Sequence, residues 1–233
     1  MMKRLTDIVL IYIPGAFLLF SLSLVLLYSS LPVKWTPLML IRSIENIDTK
    51  GYRNHQNWVS IEYIDPILIE AILIAEDQRF FGHNGFDYNE LIKMKNAHEN
   101  DGSKIRGCST ISQQVAKNCF TFCSHTLVRK ALEAYYTVLI EMFWSKERIL
   151  EVYMNIIETG RGLFGVESVC QRYYQCSSCC LTVDEAAAIA CVLPKPLTRT
   201  PYTVLRTHAS KHQMLVRKVL SEIEESSLMP YSK

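Results

Sequence analysis

An uncharged apolar segment near the N-terminus, from Ile8 to Leu31, constrains the topology of this chain more than any other feature. At about 1.5 Å per residue, a helix over this segment is roughly 36 Å long, which is enough to cross a bilayer. Pro14 and Gly15 do not exclude this, because transmembrane helices tolerate both residue types. A cleaved signal peptide has a shorter apolar core and an Ala-x-Ala-like cleavage site, and neither is present. We therefore expect an uncleaved transmembrane anchor.

The charges that flank this segment give little indication of its orientation. The nearest basic residues are Lys3 and Arg4 on one side and Lys34, Arg42 and Lys50 on the other. Long domains translocate largely regardless of charge, so the short tail over residues 1–7 favours an inside N-terminus. We predict an anchor over residues 8–31, with the bulk of the chain outside.

The rest of the chain is predicted to form one mostly α-helical domain with accessories. A length of 233 residues suits this organisation, and a net charge of only +2 does not suggest nucleic acid. We expect an irregular stalk over residues 32–57, a domain over 58–203, and a C-terminal helix (near Val204 to Ser226) with a tail over 204–233. Trp58 to Ile64 is the one convincing strand candidate, because it alternates and is rich in β-branched and aromatic residues.

Capping residues mark the starts of the predicted helices. Asp65 followed by Pro66 opens a helix through the apolar run that leads to Glu76. Capping-box spacing is found at Asp87 and Glu90, Thr110 and Gln113, and Thr182 and Glu185. Thr126 and Ser145 are the remaining predicted N-caps.

Two acidic residues, Glu76 and Asp77, end this apolar helix within the stretch AEDQRFFGHNGFD. Unpaired carbonyls at a helix C-terminus and apolar neighbours both raise the pKa of a carboxyl group, which suits a general base or acid. Gly85 allows a tight turn that brings His83 and Asp87 back toward the helix end. The alternative is that these are ordinary solvated residues of a helix end and a loop.

A second polar group follows Thr110. On a helix that starts there, Gln113, Gln114 and Lys117 share one face. Two amides and an ammonium on one face suit a polyhydroxylated or phosphorylated ligand. The alternative is a capping box followed by a solvated helix face.

A third group consists of Arg129, Lys130 and Glu133, whose spacing lets both cations converge on the carboxylate. The alternative is a surface salt bridge that stabilises the helix by roughly 0.3–0.5 kcal/mol. This helix is apolar around much of its circumference, so a solvated charge stripe is not expected on it.

Four motifs occur in an order that resembles the transglycosylase family, which polymerises peptidoglycan glycan strands from lipid II. They are EDxxFxxHxGxD (Glu76–Asp87), GxSTIxQQxxKN (Gly107–Asn118), RKxxE (Arg129–Glu133) and KxxILxxYxN (Lys146–Asn155). With one anchor and no room for a penicillin-binding domain, the chain is similar to the monofunctional biosynthetic form. The resemblance covers about Trp58 to Pro201 and implies a lysozyme-like, mostly α fold with a membrane-adjacent cleft.

The resemblance also implies roles for the matching residues. Glu76 would be the general base that takes the proton from the acceptor GlcNAc 4-hydroxyl. That oxygen would attack C1 of the donor MurNAc with inversion, giving a β-1,4 linkage and releasing undecaprenyl pyrophosphate. Lys117, Arg129 and Lys130 would bind the pyrophosphate, and Glu133 would position these cations and the donor. The donor site would be shaped by Ser109, Gln113, Gln114 and Asn118, and the supporting residues would be Asp77, Phe80, His83, Gly85 and Asp87.

The same resemblance sets expectations for ligands and location. No cofactor or protein-bound metal is expected to be required, and it stays open whether a divalent cation (Mg²⁺ or Mn²⁺) assists. The expected partners are lipid II, the growing glycan strand and the membrane, with cell-wall synthesis proteins as further candidates and no nucleic acid. We expect a single-pass protein of the inner (cytoplasmic) membrane whose catalytic domain is extracytoplasmic.

All eight cysteines lie in the predicted catalytic domain. Outside the membrane, Cys119 with Cys123, or two of the cysteines at 176–180, could form a disulfide. The first pair together with the thiols at 176 and 179 could instead bind zinc. Burial as small apolar residues is the simpler explanation for Cys170 and Cys191.

Two other functions stay open. A membrane-anchored muramidase-like hydrolase could cleave the same polymer with paired carboxylates, but it has no pyrophosphate for Lys117 and Arg129 to neutralise. An inactive binding module for peptidoglycan assembly is disfavoured by the intact Glu76 and Glu133.

Overall fold

The structure, a computed structural model, describes residues 12–102, 109–122 and 127–228. Helices dominate it, as predicted. The first helices are α1 (Ile13–Tyr28), α2 (Pro37–Glu45), α3 (Pro66–Glu76), α4 (Tyr88–Asp101), α5 (Ile111–Phe120) and α6 (Leu127–Phe143). They are followed by α7 (Lys146–Ile156), α8 (Val166–Tyr173), α9 (Val183–Val192), α10 (Pro201–Thr207) and α11 (Ala209–Leu228). The strands are β1 (His55–Gln56), β2 (Glu158–Gly160) and β3 (Leu163–Phe164), and short 3₁₀ helices span Ile61–Tyr63 and Phe80–Gly82.

The helix α9 lies at the centre of the helical core. Its sequence is apolar on nearly every side after the first turn, which is typical of a fully buried helix, and residues 186–192 are all buried. It packs against α3, α10 and α11. Its small alanine side chains allow these helices to approach closely. The helix that ends at Glu76 is therefore held against the most buried part of the molecule.

The predicted helix starts are confirmed where the structure describes them. A side-chain oxygen accepts a backbone N–H bond at the N-caps Asp65, Asp87, Thr110, Ser145 and Thr182. Complete capping boxes form at Thr110 with Gln113 and at Thr182 with Glu185. The predicted cap Thr126 lies outside the described residues. The predicted C-terminal helix is two helices, α10 and α11, separated at His208.

The strand predicted over Trp58–Ile64 is wrong. The backbone of Val59 bonds instead to the side chain of Asn155, whose Nδ2 donates to the Val59 carbonyl and whose Oδ1 accepts from the Val59 N–H. Ile61–Tyr63 then form a 3₁₀ turn. The side chain of Asn155 thus satisfies the Val59 backbone groups that a neighbouring strand would otherwise bond, and the sheet strand β1 ends before Trp58.

The segment predicted to be an irregular stalk contains regular structure. Thr36 caps α2 by accepting a bond from the N–H of Met39, and Pro37 occupies the first turn. Leu38 and Met39 are buried, and α2 packs against α5. Farther on, β1 pairs in parallel with β3, which pairs antiparallel with β2. This segment is therefore part of the folded domain.

The helix α1 covers only part of the predicted anchor, because residues 1–11 lie outside the described residues. Within the described ranges, no helix combines the length and the hydropathy needed to cross a bilayer. The C-terminal half of α1 packs on α6, where the hydroxyl oxygens of Ser21 and Tyr135 are 2.6 Å apart. Trp144 Nε1 donates to the carbonyl oxygen of Val25 at 2.8 Å. The segment is thus joined to the domain by side-chain hydrogen bonds as well as by the chain.

Candidate active site

Glu76 is the last residue of α3 and lines a small cavity at the helix end. This Glu76 cavity, of about 250 Å³, is also lined by Arg79, Lys93, Ser109 and Lys218. Burial raises the pKa of Glu76 above its ordinary value, and the nearby Asp77 adds to the increase. A hydrogen bond from Gln114 and the charge of Lys211 act in the opposite direction. The predicted environment of this carboxylate is confirmed.

Gln114 connects Glu76 to the rest of the site. Its Nε2 donates to Oε2 of Glu76 at 2.9 Å, and its Oε1 accepts from the hydroxyl of Tyr153 at 3.4 Å. Tyr153 is fully buried, and burial raises the pKa of its phenol well above the ordinary value, so it remains a proton donor. The Tyr153 bond directs the amide nitrogen of Gln114 toward the carboxylate, which leaves Oε1 of Glu76 for another partner.

Asp77 links two helices beside this carboxylate. Its Oδ2 accepts from the backbone N–H of Ile111, the first residue of α5, at 3.0 Å. Its Oδ1 lies 2.9 Å from Nε2 of His83, and both side chains are almost completely buried. A carboxylate at a helix N-terminus is stabilised by the unpaired N–H groups there. Asp77 and His83 therefore fix the end of α3 against the start of α5, which carries Gln114.

The turn after the 3₁₀ helix requires glycine at position 85. Gly85 has φ +86°, and a Cβ atom there would lie 2.7 Å from Cγ2 of Thr137. Its carbonyl oxygen accepts from Oγ1 of Thr110 at 2.6 Å. Asp87 then caps α4 by accepting from the N–H of Glu90. Phe80, also predicted to support the site, is buried, with Nζ of Lys146 4.4 Å from its ring centroid.

A second, larger cavity lies on the other side of Gln114. This Lys117 cavity, of about 660 Å³, is lined on one side by Gln114, Lys117, Asn118, Arg129 and Tyr153. Its opposite side is formed by residues 193–198, after α9, and by Leu38, Arg42, Ile157 and Glu158. Two of the predicted pyrophosphate ligands, Lys117 and Arg129, thus share one concave surface.

Glu133 is buried beneath this cavity and holds two cations. Its Oε2 accepts from Arg129 at 2.7 Å, and its Oε1 accepts from Nζ of Lys130 at 2.7 Å, while Glu133 itself is only 2% exposed. The predicted convergence of the three side chains is confirmed. The side chain of Arg129 is 13% exposed and that of Lys130 is 54% exposed. Arg129 therefore lines the cavity, whereas Lys130 is largely exposed to solvent and does not line it.

Lys117 differs from these two cations. Among the residues that the structure describes, no carboxylate oxygen lies within 4 Å of its ammonium nitrogen. The ammonium nevertheless lines the cavity next to Arg129. Its positive charge is consequently available to an anionic ligand.

The family model described as "Transglycosylase" matches residues 42–220. The chain belongs to the transglycosylase family. Proteins named biosynthetic peptidoglycan transglycosylase are 47% identical to it over 189 residues in Bdellovibrio bacteriovorus, which is 79% of this chain and 75% of that protein. In Caulobacter vibrioides the identity is 47% (74% of this chain, 73% of the relative), and in Bacteroides thetaiotaomicron it is 43% (74% and 70%).

Three residues predicted for the donor site or the pyrophosphate, Gln113, Ser109 and Lys130, do not line the Lys117 cavity, and their predicted roles stay predictions. Oε1 of Gln113 bonds to the backbone N–H of Thr110 in the capping box, so this amide oxygen stabilises the helix start. Ser109 lines the Glu76 cavity, and Lys130 does not line the Lys117 cavity. Gln114, Lys117, Asn118 and Arg129 do share it, as predicted.

Sequence reasoning missed two parts of the transglycosylase site. Tyr153 stands within the fourth motif, and its position in that motif was the available signal. Arg42 was assigned to the stalk, yet its guanidinium forms a bidentate pair with Glu158, with both N–O distances at 2.8 Å. This pair raises the pKa of Arg42 above its ordinary value and joins α2 to the far side of the Lys117 cavity.

The cysteines of this transglycosylase are free thiols wherever they are described, so the proposed disulfide within 176–180 is not formed. The Sγ atoms of Cys179 and Cys180 are 3.2 Å apart, beyond the bonded distance of about 2.05 Å. Cys170 and Cys191 are buried, as predicted. Cys123 lies outside the described residues. Within the described ranges, no group of three or more His, Cys, Asp or Glu side chains could hold a metal ion.

Proposed function

We propose that this chain polymerises lipid II into β-1,4-linked glycan strands and releases undecaprenyl pyrophosphate. Its membership of the transglycosylase family makes it a peptidoglycan glycosyltransferase. One observation carries the detailed proposal: a carboxylate with a raised pKa is hydrogen-bonded to Gln114, which also lines the cavity of Lys117 and Arg129. A proton acceptor and a cationic surface thus lie on either side of one amide.

Glu76 acts as the general base in this proposal. The acceptor 4-hydroxyl loses its proton to Oε1, the oxygen that Gln114 does not occupy, as the hydroxyl oxygen attacks C1 of the donor sugar. Burial raises the proton affinity of the carboxylate, which brings it closer to that of an effective base near neutral pH. The Gln114 bond keeps the carboxylate in one orientation.

Lys117 and Arg129 stabilise the departing pyrophosphate. Negative charge develops on the leaving oxygen as the C1–O bond breaks, and cations already in place stabilise it without rearrangement. Arg129 offers the planar fork that suits phosphate oxygens, and Glu133 fixes its orientation from below. Lys117 supplies a positive charge that has no described carboxylate oxygen within 4 Å.

No resident cofactor is needed in this proposal, because Lys117 and Arg129 supply positive charge where the pyrophosphate develops its own. The contribution of a divalent cation carried by the substrate is measured by the rate with and without added Mg²⁺ or Mn²⁺.

The alternative function, a muramidase-like hydrolase, would use the carboxylate of Glu76 but would not need Lys117 and Arg129, since no pyrophosphate leaves in that reaction.

The proposal also places the enzyme at the inner membrane, anchored by residues 8–31, with its catalytic domain on the extracytoplasmic side. The uncharged apolar sequence of this segment supports the assignment. A substrate confined to the bilayer by its lipid is encountered most efficiently by an enzyme confined to the same surface.

Incubation of the full chain with lipid II in detergent tests the reaction. We expect long glycan strands and stoichiometric undecaprenyl pyrophosphate. Cleavage of preformed glycan strands without consumption of lipid II would identify a hydrolase instead. Absence of both reactions in a folded protein would identify a binding module.

A further inference from the structure

A third cavity, of about 750 Å³, lies beside the Lys117 cavity. This Arg53 cavity is formed by the segment between α2 and β1, the β2–β3 turn, α8 and the segment after α9. Its lining includes five cationic side chains and, among the described residues, no carboxylate. The cations are Lys50, Arg53, Arg161, Arg172 and Arg199.

None of these side chains forms a salt bridge within the described part of the protein. Arg161 donates to Oδ1 of Asn46, and Arg199 donates to the carbonyl oxygen of Cys191, so both bond to neutral oxygens. No described carboxylate lies within 4 Å of any of the five cationic groups. A concave surface lined by one sign of charge concentrates its potential and attracts ions of the opposite sign.

The uncharged residues in the lining of the Arg53 cavity indicate which anionic ligand it suits. They favour a carbohydrate that carries negatively charged groups. Hydroxyl and amide groups line the cavity at Thr49, Asn57, Ser168, Gln171 and Thr198, and the rings of Tyr52 and Tyr173 add aromatic surface. Polar groups of this kind bond to sugar hydroxyls, and aromatic rings pack on the apolar faces of sugars. A bare phosphate would need only the cations.

The position of the cavity favours a polymer over a lipid headgroup. The Arg53 and Lys117 cavities share Pro196, Leu197 and Thr198 as part of their lining, so an extended ligand can pass from one to the other. At the start of α7, Arg148 donates to the carbonyl oxygen of Tyr28 at the end of α1. The cavity adjoins the opposite end of α7, roughly 16 Å away at 1.5 Å per residue.

We propose that the Arg53 cavity binds the growing glycan strand beyond the Lys117 cavity, with its cations paired to the free carboxylates of the peptides on the strand. The proposal rests on the proposed function, because it takes the glycan as the ligand. It adds a binding site for the part of the strand that does not react. Such a site would retain the strand between successive additions.

Binding of soluble glycan oligomers to the full chain in detergent tests this inference without turnover. The probes are oligomers that carry their peptides, with no lipid or pyrophosphate, and the same oligomers after enzymatic removal of the peptides. The variant is Arg53→Ala/Arg172→Ala. The matched control is Arg206→Ala/Arg217→Ala, which removes two exposed arginines outside all three cavities.

We expect the peptide-bearing oligomers to bind more tightly than the peptide-free ones, and the Arg53/Arg172 variant to raise their Kd about tenfold. The control variant should leave the Kd unchanged, and added salt should weaken binding to the wild type. Equal Kd values for the two oligomers, or for the Arg53/Arg172 variant and the wild type, would overturn the proposal. Tighter binding to inorganic phosphate, or to phosphatidylglycerol vesicles in a manner that depends on Arg53 and Arg172, would also overturn it.

The polymerisation assay separates this inference from the proposed function. Normal polymerisation with no oligomer binding rejects only the Arg53 cavity assignment. Oligomer binding without polymerisation rejects the transferase assignment and leaves the cavity as a glycan-binding site.

Discussion

Gln114 connects Glu76 to the Lys117 cavity, but the two regions hold their charges in opposite ways. Glu76 has a neutral amide as its hydrogen-bond donor, and burial disfavours its ionised form. Arg129 instead rests on a buried carboxylate, which keeps the cation in place. The difference indicates a base that readily accepts a proton on one side and fixed positive charge on the other. Each region is suited to one half of a glycosyl transfer.

The largest effect is expected from Glu76→Gln, which keeps the shape of the side chain and removes the proton acceptor. Loss of a general base typically lowers the rate by about 10²–10⁴. Polymerisation of lipid II by the purified variant measures this loss. Near-wild-type turnover would assign the base to another residue.

Thermal unfolding of the same variant is the control for its fold. Because the pKa of Glu76 is raised in the folded state, folding favours the protonated carboxyl, and stability is lost as the pH rises from the ordinary glutamate pKa through the raised one. The neutral Gln removes this cost at neutral pH, so its Tm should equal or exceed that of the wild type. A clearly lower Tm would mean that the rate loss reflects misfolding.

The next largest effect is expected from Lys117→Ala and Arg129→Ala. Removing a preorganised electrostatic contact typically lowers the rate by about 10²–10³. Lys130→Ala is the matched comparison, because it also removes a cation bound to Glu133 but one that is 54% exposed and outside the cavity. Its rate should fall less. If both Lys117→Ala and Arg129→Ala polymerise normally, the pyrophosphate assignment is wrong, and the pairing of Arg129 with Glu133 only stabilises the helix.

A smaller effect, on stability, is expected from Gly85→Ala. The substitution combines a positive φ with a Cβ atom 2.7 Å from Thr137, and backbone strain of this kind costs on the order of 1–3 kcal/mol. Gly102→Ala is the matched control, since Gly102 has φ +68° with no atom within 4 Å of the added Cβ. We expect Gly85→Ala to unfold at a lower temperature than Gly102→Ala. Equal melting temperatures would show that the contact with α6 is easily relieved.

The mildest effect is expected from removing residues 1–31. The remaining domain should fold, with a lower Tm, because Trp144 Nε1 loses its acceptor at Val25 and part of α6 loses the cover of α1. It should still associate loosely with liposomes through exposed apolar residues such as Tyr88 and Ile92 on α4. Flotation with no association at all would reject an apolar membrane-binding surface on the domain.

Local sequence patterns were sufficient to predict the helix starts, the pairing of Arg129 and Lys130 with Glu133, and the environment of Glu76. A cap acts within four residues, and so does the pairing of Arg129 and Lys130 with Glu133, so spacing alone predicts both. The environment of Glu76 was also predictable, because it follows from a helix end among apolar neighbours. The roles predicted for the other site residues came from the order of the four motifs and the family resemblance that it indicates.

The parts that could not be predicted depend on contacts between distant segments. The Trp58–Ile64 pattern indicates a strand until Asn155, far along the chain, bonds to the Val59 backbone. Arg42 and Glu158 are similarly remote in sequence, and nothing near Arg42 indicates that it borders the site. The capping box of Thr110 and Gln113, by contrast, is local and was predicted from the spacing of the two residues.

The dependence of the polymerisation rate on pH tests most directly whether Glu76 supplies the base while the Lys117 cavity supplies fixed charge. Because the ionised carboxylate is the active form, the wild-type rate should fall with acidification through a pKa above the ordinary glutamate value of 4.5. Lys117→Ala should keep this acidic limb at a uniformly lower rate, and Glu76→Gln should lose it together with most of the activity. An acidic limb that persists unchanged in an active Glu76→Gln variant would contradict the account.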